Sequence, residues 1–249
     1  MQQYLAEVYI HTTKTCYDLY ENNLLSQPRS VIYTSPDPDY NPPNKSQNPV
    51  QVKVVNQDTI DVGYELVQKG IHPLVLNLAS EQRPGGGVMK GAKAQEEDLF
   101  RRSDYYLHLN KKYYPLDPTE VIYSPKVTII KTSEYKNQKP YFTLDFLAVP
   151  GLRNPQLVRG KFLAKEEELL RYKVRLIYEV AAKNGYTHLV LGALGCGAFN
   201  NPPEEVARIF KDELERYKYT FQGIVFAVLC FKDLHNFTVF EKTFAIAFN

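Results

Sequence analysis

Short apolar runs that alternate with helical stretches constrain the fold of this chain more than any other feature of its sequence. Residues 73–79 (PLVLNLA) and 188–193 (HLVLGA) are largely apolar, as is typical of strands buried on both faces. Further strands are predicted over residues 50–56, 121–123, 127–131, 142–149 and 222–230. Strands that alternate with helices in this way predict a three-layer α/β/α domain around a mixed, largely parallel sheet.

Helices are predicted between these strands from their capping residues and their charged faces. Asp58 is a suitable N-cap for a helix over residues 59–69, and Gly70 is a suitable stop. Residues 165–184 combine a charged face with an apolar one, and Gly185 follows as a stop. Two further helices are predicted, over residues 94–109 and from the proline pair at 202–203 to about residue 217.

The first 50 residues differ in composition from the rest of the chain. Residues 1–25 mix helix formers with β-branched residues, and we predict at least one helix there. Residues 35–49 contain five prolines, which predicts an extended loop, more often a passive surface connector than a binding loop. We therefore expect residues 1–50 to form a helical segment and a proline-rich loop packed on a core domain over residues 51–249.

Composition excludes several classes of function. The 30 basic and 28 acidic residues give a net charge of only +2, whereas dedicated DNA or membrane binders carry a strong basic excess. We expect no membrane partner and no sequence-specific nucleic-acid binding. The three cysteines and five histidines lack the spacings of zinc sites, so we expect no metal and no disulfide. No apolar run has transmembrane length and no secretory segment begins the chain, which predicts an intracellular protein, cytoplasmic or nuclear.

A first glycine-rich loop, residues 80–93, follows the strand at 73–79. Its consecutive glycines, Gly85, Gly86 and Gly87, allow positive φ and let backbone N–H groups approach an anion closely. The spacing matches neither a Walker loop nor a GxGxxG dinucleotide turn. We favour a diphosphate-binding role over a flexible hairpin, because ligands of α/β sheets bind beyond the carboxyl ends of the strands.

A second glycine-rich loop, residues 192–201, follows the strand at 188–193. Gly192, Gly195 and Gly197 lie in it, Phe199 offers an aromatic face, and a predicted helix N-terminus comes shortly after. Considered alone, this loop is equally well explained as a tight structural turn. Together with the first loop, it predicts a second wall of a site for a phosphate-bearing ligand.

Glu96 and Glu97 stand between the two loops, at the start of a predicted helix. Adjacent helical residues point about 100° apart, so the pair cannot oppose one another as many glycosidase carboxylates do. One carboxylate could bind a ribose hydroxyl while the other meets a glycosidic oxygen. A solvated helix start is the competing explanation, and the neighbouring glycines favour the functional one.

Residues 77–103 (NLASEQRPGGGVMKGAKAQEEDLFRRS) closely resemble the signature of poly(ADP-ribose) glycohydrolases, in which three glycines precede Gln-Glu-Glu after a short spacer. The resemblance is greatest to the microbial-type branch, whose domain is a macrodomain. Three other segments support it in the family's order: residues 54–70, 192–210 and 223–229. The resemblance implies that residues 51–249 form a macrodomain-type catalytic domain that needs no cofactor.

The resemblance also implies roles for individual residues. Glu97 would be the catalytic acid/base, and Glu96 would hold the hydroxyls of the terminal ribose. The other implied ligand contacts are Asn77, Ser80, Gly85, Gly86, Gly87, Val88, Gln95, Gly195, Cys196, Gly197, Ala198 and Phe199.

The implied reaction is release of ADP-ribose from poly(ADP-ribose) by hydrolysis of ribose–ribose O-glycosidic bonds, mainly from chain ends. The partner would be the polymer or an ADP-ribosylated protein. Three alternatives stay open: a hydrolase of mono-ADP-ribosyl links to protein or nucleic acid, a non-catalytic ADP-ribose-binding module, and an NAD-dependent oxidoreductase. The last is disfavoured because neither loop has dinucleotide spacing.

Overall fold

The computed structural model describes residues 1–245. Their strands are β1 (Val31–Tyr33), β2 (Gln51–Val55), β3 (Leu74–Ala79), β4 (Val121–Lys131), β5 (Asn137–Pro150), β6 (Leu157–Val158), β7 (Lys161–Phe162), β8 (His188–Leu191) and β9 (Gly223–Ala227). Their α-helices are α1 (Gln2–Glu21), α2 (Thr59–Gln68), α3 (Gln95–Arg102), α4 (Tyr105–His108), α5 (Ala164–Lys183), α6 (Pro203–Leu214) and α7 (His235–Phe244). Short 3₁₀ turns cover Val88–Lys90, Lys111–Tyr113 and Glu215–Tyr217.

One seven-stranded sheet, in the order β1-β4-β5-β3-β8-β9-β2, forms the middle layer. Strands β5, β3, β8, β9 and β2 run parallel to one another, whereas β4 is antiparallel to both β5 and β1. The parallel strands are joined by helices, as crossover connections require. The predicted mixed, largely parallel sheet is confirmed.

Two apolar cores cover the two faces of this sheet. Alternate residues of β3 point to opposite faces: Leu74 and Leu76 join the core built with α5, α6 and α7, while Val75 joins the core built with α2, α3 and α4. All three side chains are at most 2% exposed. The continuous apolar run of β3 thus reflects burial on both faces, and the three-layer prediction is confirmed.

The predicted helix over residues 94–109 is wrong as a single element. Ser103 has an extended backbone (φ −146°, ψ 174°) and bridges Ile129 of β4, which separates α3 from α4. The backbone N–H of Asp104 donates to Thr128 O at 3.1 Å, and the carboxylate of Asp104 accepts from Thr128 N at 2.7 Å. Pairing with the neighbouring strand therefore interrupts the helix.

Other boundaries also differ from the predictions. The strands predicted at 121–123 and 127–131 are one strand, β4, with an irregular register between Ser124 and Val127, where Lys126 has φ 57°. The predicted strand at 142–149 begins earlier, at Asn137 in β5. Strand β1, the β6–β7 hairpin and helix α7 have no counterpart in the predictions.

The N-terminal segment packs against the helix that carries the glutamate pair. Arg101 of α3 donates from Nε to Leu5 O at 3.1 Å, and Thr12 Oγ1 donates to Arg101 O at 2.6 Å. A Cβ on Gly91 would meet the backbone of Gln2 at 2.1 Å, so α1 and the first loop are in direct contact. A boundary at residue 50 stays a prediction. No helix within residues 1–245 is both long and apolar enough to cross a membrane.

A buried guanidinium ties α2 to α3. Arg102, whose side chain is 1% exposed, pairs with Asp58 at 2.7 Å, with Asp61 at 2.8 Å and with Asp98 at 3.1 Å. Asp58 is the predicted N-cap of α2 and also accepts from the backbone N–H groups of Ile60 and Asp61. The charge of Arg102 therefore compensates carboxylates on both helices and ties the end of α3 to the start of α2.

We expect Arg102→Met to lower the free energy of unfolding by about 3–5 kcal/mol, because it leaves partly buried carboxylates without a counter-charge. Chemical denaturation measures the loss. Arg208→Met is the matched control: Arg208 also pairs with three carboxylates, but its side chain is 38% exposed. Its loss should stay near or below about 1 kcal/mol, and equal losses would refute the account.

Candidate active site

The carboxyl ends of the parallel strands open into a cleft of about 970 Å³. Its walls include residues at or just beyond four strand ends: Ala79 after β3, Gly151 after β5, Ala193 after β8, and Ala227 with Val228 at β9. Parallel strands place these ends at one edge of the sheet, where α/β folds bind their ligands. Both glycine-rich loops leave the sheet at this edge, as predicted.

The first residue of α3 is bonded to the backbone of β3. Gln95 Oε1 accepts from Leu78 N at 2.7 Å, and Gln95 Nε2 donates to Leu76 O at 2.8 Å and to Thr59 Oγ1 at 3.1 Å. One amide therefore holds the start of α3 beside the end of β3. Gln95 was predicted to contact ligand, and it does line the cleft. Both polar atoms of its side chain, however, are bonded to β3 and α2.

Glu96 is anchored through both of its oxygens. Oε2 accepts from Ser80 N at 2.8 Å, and Oε1 accepts from Asn77 Nδ2 at 3.3 Å. The residue is 2% exposed. Asn77 Oδ1 is buried and has no hydrogen-bond partner among the described residues. Two residues predicted to contact ligand, Asn77 and Ser80, thus surround this carboxyl group.

Glu97 differs from its neighbour in having a free oxygen. Oε1 accepts from Gly87 N at 2.9 Å, whereas Oε2 is buried and finds no partner within residues 1–245. An unpaired buried oxygen costs free energy unless a ligand or water bonds to it. Of the two carboxyl groups, that of Glu97 is the one with an oxygen that no described residue bonds.

Gly86 lies between the two carboxyl groups. It has φ 49°, and a Cβ there would lie 2.6 Å from Glu97 Oε1 and 3.4 Å from Glu96 Oε2. The left-handed backbone and the lack of space both require glycine. Gly85 is also left-handed and packs against Phe100, where a Cβ would lie 2.5 Å from the ring. The triple glycine therefore allows the first loop to close over α3.

Burial changes the acidity of the pair. Burial raises the pKa of Glu96 from 4.5 to about 8, and the nearby charge of Glu97 adds to this effect. Hydrogen bonds from Ser80 and Asn77 favour the ionised form and only partly offset the increase. Glu96 therefore retains its proton near neutral pH.

The second loop is held in place by one asparagine. Asn201 Nδ2 donates to Leu152 O at 2.5 Å, to Gly195 O at 3.1 Å and to Phe199 O at 3.2 Å. Gly195 has φ 74°, and a Cβ on it would lie 2.6 Å from the Asn201 side chain. The loop therefore has a built conformation, and α6 begins directly after it.

The predicted site residues fall into two adjoining groups. Gln95, Gly195, Gly197, Ala198 and Phe199 line the cleft. Asn77, Ser80, Gly85, Gly86 and Gly87 surround Glu96 and Glu97, which do not line the cleft but follow Gln95 in the chain.

Two predicted ligand contacts face away from the ligand space. Val88 is 3% exposed and belongs to the apolar core on the α3 side of the sheet. Cys196 is half-buried, its Sγ lies 3.7 Å from Leu194 O, and its carbonyl accepts from Asn236 Nδ2 at 3.4 Å. Burial raises the pKa of the Cys196 thiol, and the backbone N–H of Cys196 is also bonded, to Ala193 O at 3.1 Å.

Several site residues have no counterpart in the predictions. Asn201 and Gly151 join the second loop to the residues after β5: Asn201 bonds Leu152 O, and a Cβ on Gly151 would lie 2.6 Å from Gly195 Cα. Leu229 and Phe231, beyond β9, line the cleft and are exposed. Gly151 could have been predicted as a site residue, because it directly follows a predicted strand. Asn201 could not, because its partner Leu152 lies in a loop that is distant in the sequence.

Comparison with known proteins identifies similar sequences and folds. Residues 1–132 match the family described as microbial-type PARG, catalytic domain, where PARG denotes poly(ADP-ribose) glycohydrolase. The fold is similar to poly(ADP-ribose) glycohydrolase from Thermomonospora curvata, with 26% identity and a TM-score of 0.76 over 86% of this chain and 85% of that one. No curated protein matches significantly in sequence.

Two solved structures similar to this chain contain ligands. The Deinococcus radiodurans glycohydrolase in complex with ADP-ribose is 31% identical, with a TM-score of 0.72 over 81% of this chain and 87% of that one. The T. curvata enzyme bound to the inhibitor ADP-HPD is 28% identical, with a TM-score of 0.72 over 78% of each chain. These likenesses confirm the predicted macrodomain-like fold.

We expect Gly86→Ala to reduce turnover by about 10²-fold or more, because its Cβ displaces the carboxyl group of Glu97, the candidate acid/base, and small misplacements of such a group are costly. Steady-state rates of ADP-ribose release measure the effect. Gly160→Ala is the matched control, since Gly160 has φ 77° and no atom within 4 Å of a Cβ. It carries the same backbone strain without the contact, and a similar loss of turnover in both variants would contradict the account.

We expect Glu96→Gln to gain stability relative to the wild type as pH rises from 5 to 9. The pKa of Glu96 is raised by folding, from 4.5 to about 8, so its contribution is fully present below pH 4.5 and is lost as pH rises through 8. Glutamine has no proton to lose. Denaturation at pH 5, 7 and 9 should show a relative gain of up to about 4 kcal/mol between pH 5 and pH 9, and a difference independent of pH would exclude the raised pKa.

Proposed function

The chain belongs to the microbial-type poly(ADP-ribose) glycohydrolase family, and on that premise we propose that Glu97 is its catalytic acid/base and Glu96 its ribose-binding carboxylate. The observation that carries this assignment is the buried oxygen Oε2 of Glu97, which has no partner among the described residues. Glu96, in contrast, has a hydrogen bond at each oxygen. A group that must exchange a proton needs a free oxygen within reach of the substrate.

The activity is that of a glycosidase that releases ADP-ribose from poly(ADP-ribose). The bond broken is the O-glycosidic bond between one ribose and the next. Family relatives with ADP-ribose and with the inhibitor ADP-HPD bound support an ADP-ribose site here.

Glu97 acts twice in the proposed mechanism. It first donates a proton from Oε2 to the leaving 2′-oxygen, so that the C–O bond breaks with both electrons going to that oxygen and an oxocarbenium-like ribose remains. Ionised Glu97 then removes a proton from a water molecule as the water oxygen bonds to the anomeric carbon. The glutamate is protonated again at the end of the cycle.

Glu96 supplies position in the proposed mechanism. Its hydrogen bonds to Ser80 N and Asn77 Nδ2 hold the carboxyl group in one orientation, and the unpartnered Asn77 Oδ1 beside it can accept a further hydrogen bond. Hydroxyl groups of the terminal ribose would bind here. Fixing that sugar aligns its anomeric carbon with Glu97, which lowers the entropic part of the barrier.

The diphosphate would lie against the second loop. The backbone N–H groups of Gly197, Ala198 and Phe199 donate to no acceptor in the described part of the chain, and these residues line the cleft. Successive free N–H groups are suited to phosphate oxygens. The ring of Phe199 would pack on the distal ribose.

We also propose that cleavage proceeds mainly from chain ends and that the enzyme acts inside the cell, on free polymer or on ADP-ribosylated protein. No segment resembling the adenine-covering tyrosine of the animal enzymes is recognisable in this sequence. Product analysis on long polymer distinguishes terminal from internal cleavage. Terminal cleavage yields monomeric ADP-ribose from the start, whereas internal cleavage yields oligomers first.

We expect Glu97→Gln to reduce ADP-ribose release by about 10³-fold or more while changing the Kd for ADP-ribose by less than about threefold, because the amide keeps the shape but cannot donate or accept the proton. Turnover on purified polymer and calorimetric titration provide the two measurements. Glu215→Gln, at an exposed position on the 3₁₀ turn after α6, is the control. Substantial turnover by Glu97→Gln would refute the assignment.

A further inference from the structure

A third loop, residues 151–156 after β5, contacts both glycine-rich loops. Gly151 lies against Gly195, with 2.6 Å between a Cβ on the former and Cα of the latter. Asn154 N donates to Phe199 O at 2.9 Å. Because β5 and β8 flank β3 on opposite sides, the second loop must cross above the end of β3 to make these contacts. The third loop therefore supports the far end of the second.

Arg153 of this third loop joins the other two through one guanidinium. Its Nε lies 2.5 Å from Glu81 Oε1 and its Nη2 lies 3.1 Å from Glu81 Oε2, in the first loop. Its Cζ lies 4.3 Å from the centroid of the Phe199 ring, in the second loop. A two-point bond to a carboxylate fixes the plane of a guanidinium, and an aromatic ring stacks favourably on that plane.

The solvent exposure of Arg153 indicates whether its contacts with Glu81 and Phe199 stabilise the fold or orient a side chain. Its side chain is 51% exposed, and an ion pair so open to solvent contributes little to the stability of a fold. Its geometry, in contrast, is specific, because a lysine could make neither the two-point bond nor the flat stack. The contact is therefore suited to orienting Phe199.

We propose that Arg153 is a positioning residue for the reaction: it holds the Phe199 ring at the cleft wall, ready to pack against the distal ribose, and couples that ring to the first loop through Glu81. The inference rests on the proposed function of Phe199. A ring that is already ordered loses less entropy when substrate binds, so Arg153 acts on substrate affinity and leaves the proton transfer at Glu97 unchanged.

A double-mutant cycle on ADP-ribose polymer tests the proposal. Arg153→Ala should raise KM about fivefold, the size of one cation–aromatic contact, with kcat within about twofold of wild type. Phe199→Ala should raise KM by at least as much. Since Arg153 acts through Phe199, the double variant should match Phe199→Ala alone. Effects that multiply, or an unchanged KM for Arg153→Ala, would overturn the proposal.

Two further variants test whether the effect of Arg153 on KM comes from the planar geometry of its guanidinium, from its charge or from a general change in the fold. Arg153→Lys keeps the charge without the planar fork, so it should resemble Arg153→Ala, and full recovery of KM would overturn the proposal. Arg175→Ala removes a similar half-exposed pair, in which Arg175 bonds both oxygens of Glu213 at 2.7 and 3.2 Å far from the cleft. It should leave KM unchanged, and a rise equal to that of Arg153→Ala would show a general effect on the fold.

A fluorescent reporter distinguishes failure of this proposal from failure of the proposed function. The chain contains no tryptophan, so Phe199→Trp introduces a single tryptophan, which can be excited at wavelengths that tyrosine does not absorb. Its anisotropy should fall when Arg153→Ala is added and stay constant when Arg175→Ala is added, whatever the enzyme cleaves. An unchanged anisotropy refutes positioning by Arg153, whereas full turnover by Glu97→Gln refutes the catalytic assignment alone.

Discussion

The amide of Gln95 is the interaction on which the site depends. It bonds Leu78 N and Leu76 O of β3 and also Thr59 of α2, so the start of α3 cannot move relative to the carboxyl edge of the sheet. The position of the next two residues, Glu96 and Glu97, is therefore also fixed relative to the sheet. Losing such a buried partner leaves unsatisfied backbone groups at a cost of about 1–3 kcal/mol each. The same hydrogen bonds therefore stabilise the end of β3 and place the two carboxyl groups.

Two identical side chains obtain different roles from their surroundings. Glu96 is bonded at both oxygens, and burial raises its pKa to about 8. Glu97 is bonded only at Oε1, by Gly87 N. Gly86 allows both carboxyl groups to approach one point, because any side chain there would occupy the space of Glu97 Oε1. The proposed division of roles, in which Glu96 holds the ribose and Glu97 transfers the proton, thus rests on hydrogen bonding and space.

The sequence predicted the features that arise from local signals. Strand β3 is apolar throughout because both of its faces are buried, and the triple glycine follows it directly, so the sheet edge and the first loop could be located. Features that depend on distant partners could not be predicted. Ser103 interrupts the helix because β4 lies beside it. Arg153 has no distinguishing feature in the sequence, because it meets Glu81 and Phe199 only where the loops after β3, β5 and β8 come together. Likewise, nothing local indicates that Gln95 bonds β3.

The most direct test of the central claim, that Glu97 supplies the proton to the leaving oxygen, varies the leaving group. An ADP-ribosyl substrate that releases p-nitrophenol needs little protonation, whereas the ribose 2′-oxygen of the polymer needs it fully. General-acid catalysis contributes about 10²–10⁴-fold, so the ratio of wild-type to Glu97→Gln rates should be at least tenfold smaller for the nitrophenyl substrate than for the polymer. Equal ratios for the two substrates would contradict the assignment of Glu97 as the acid.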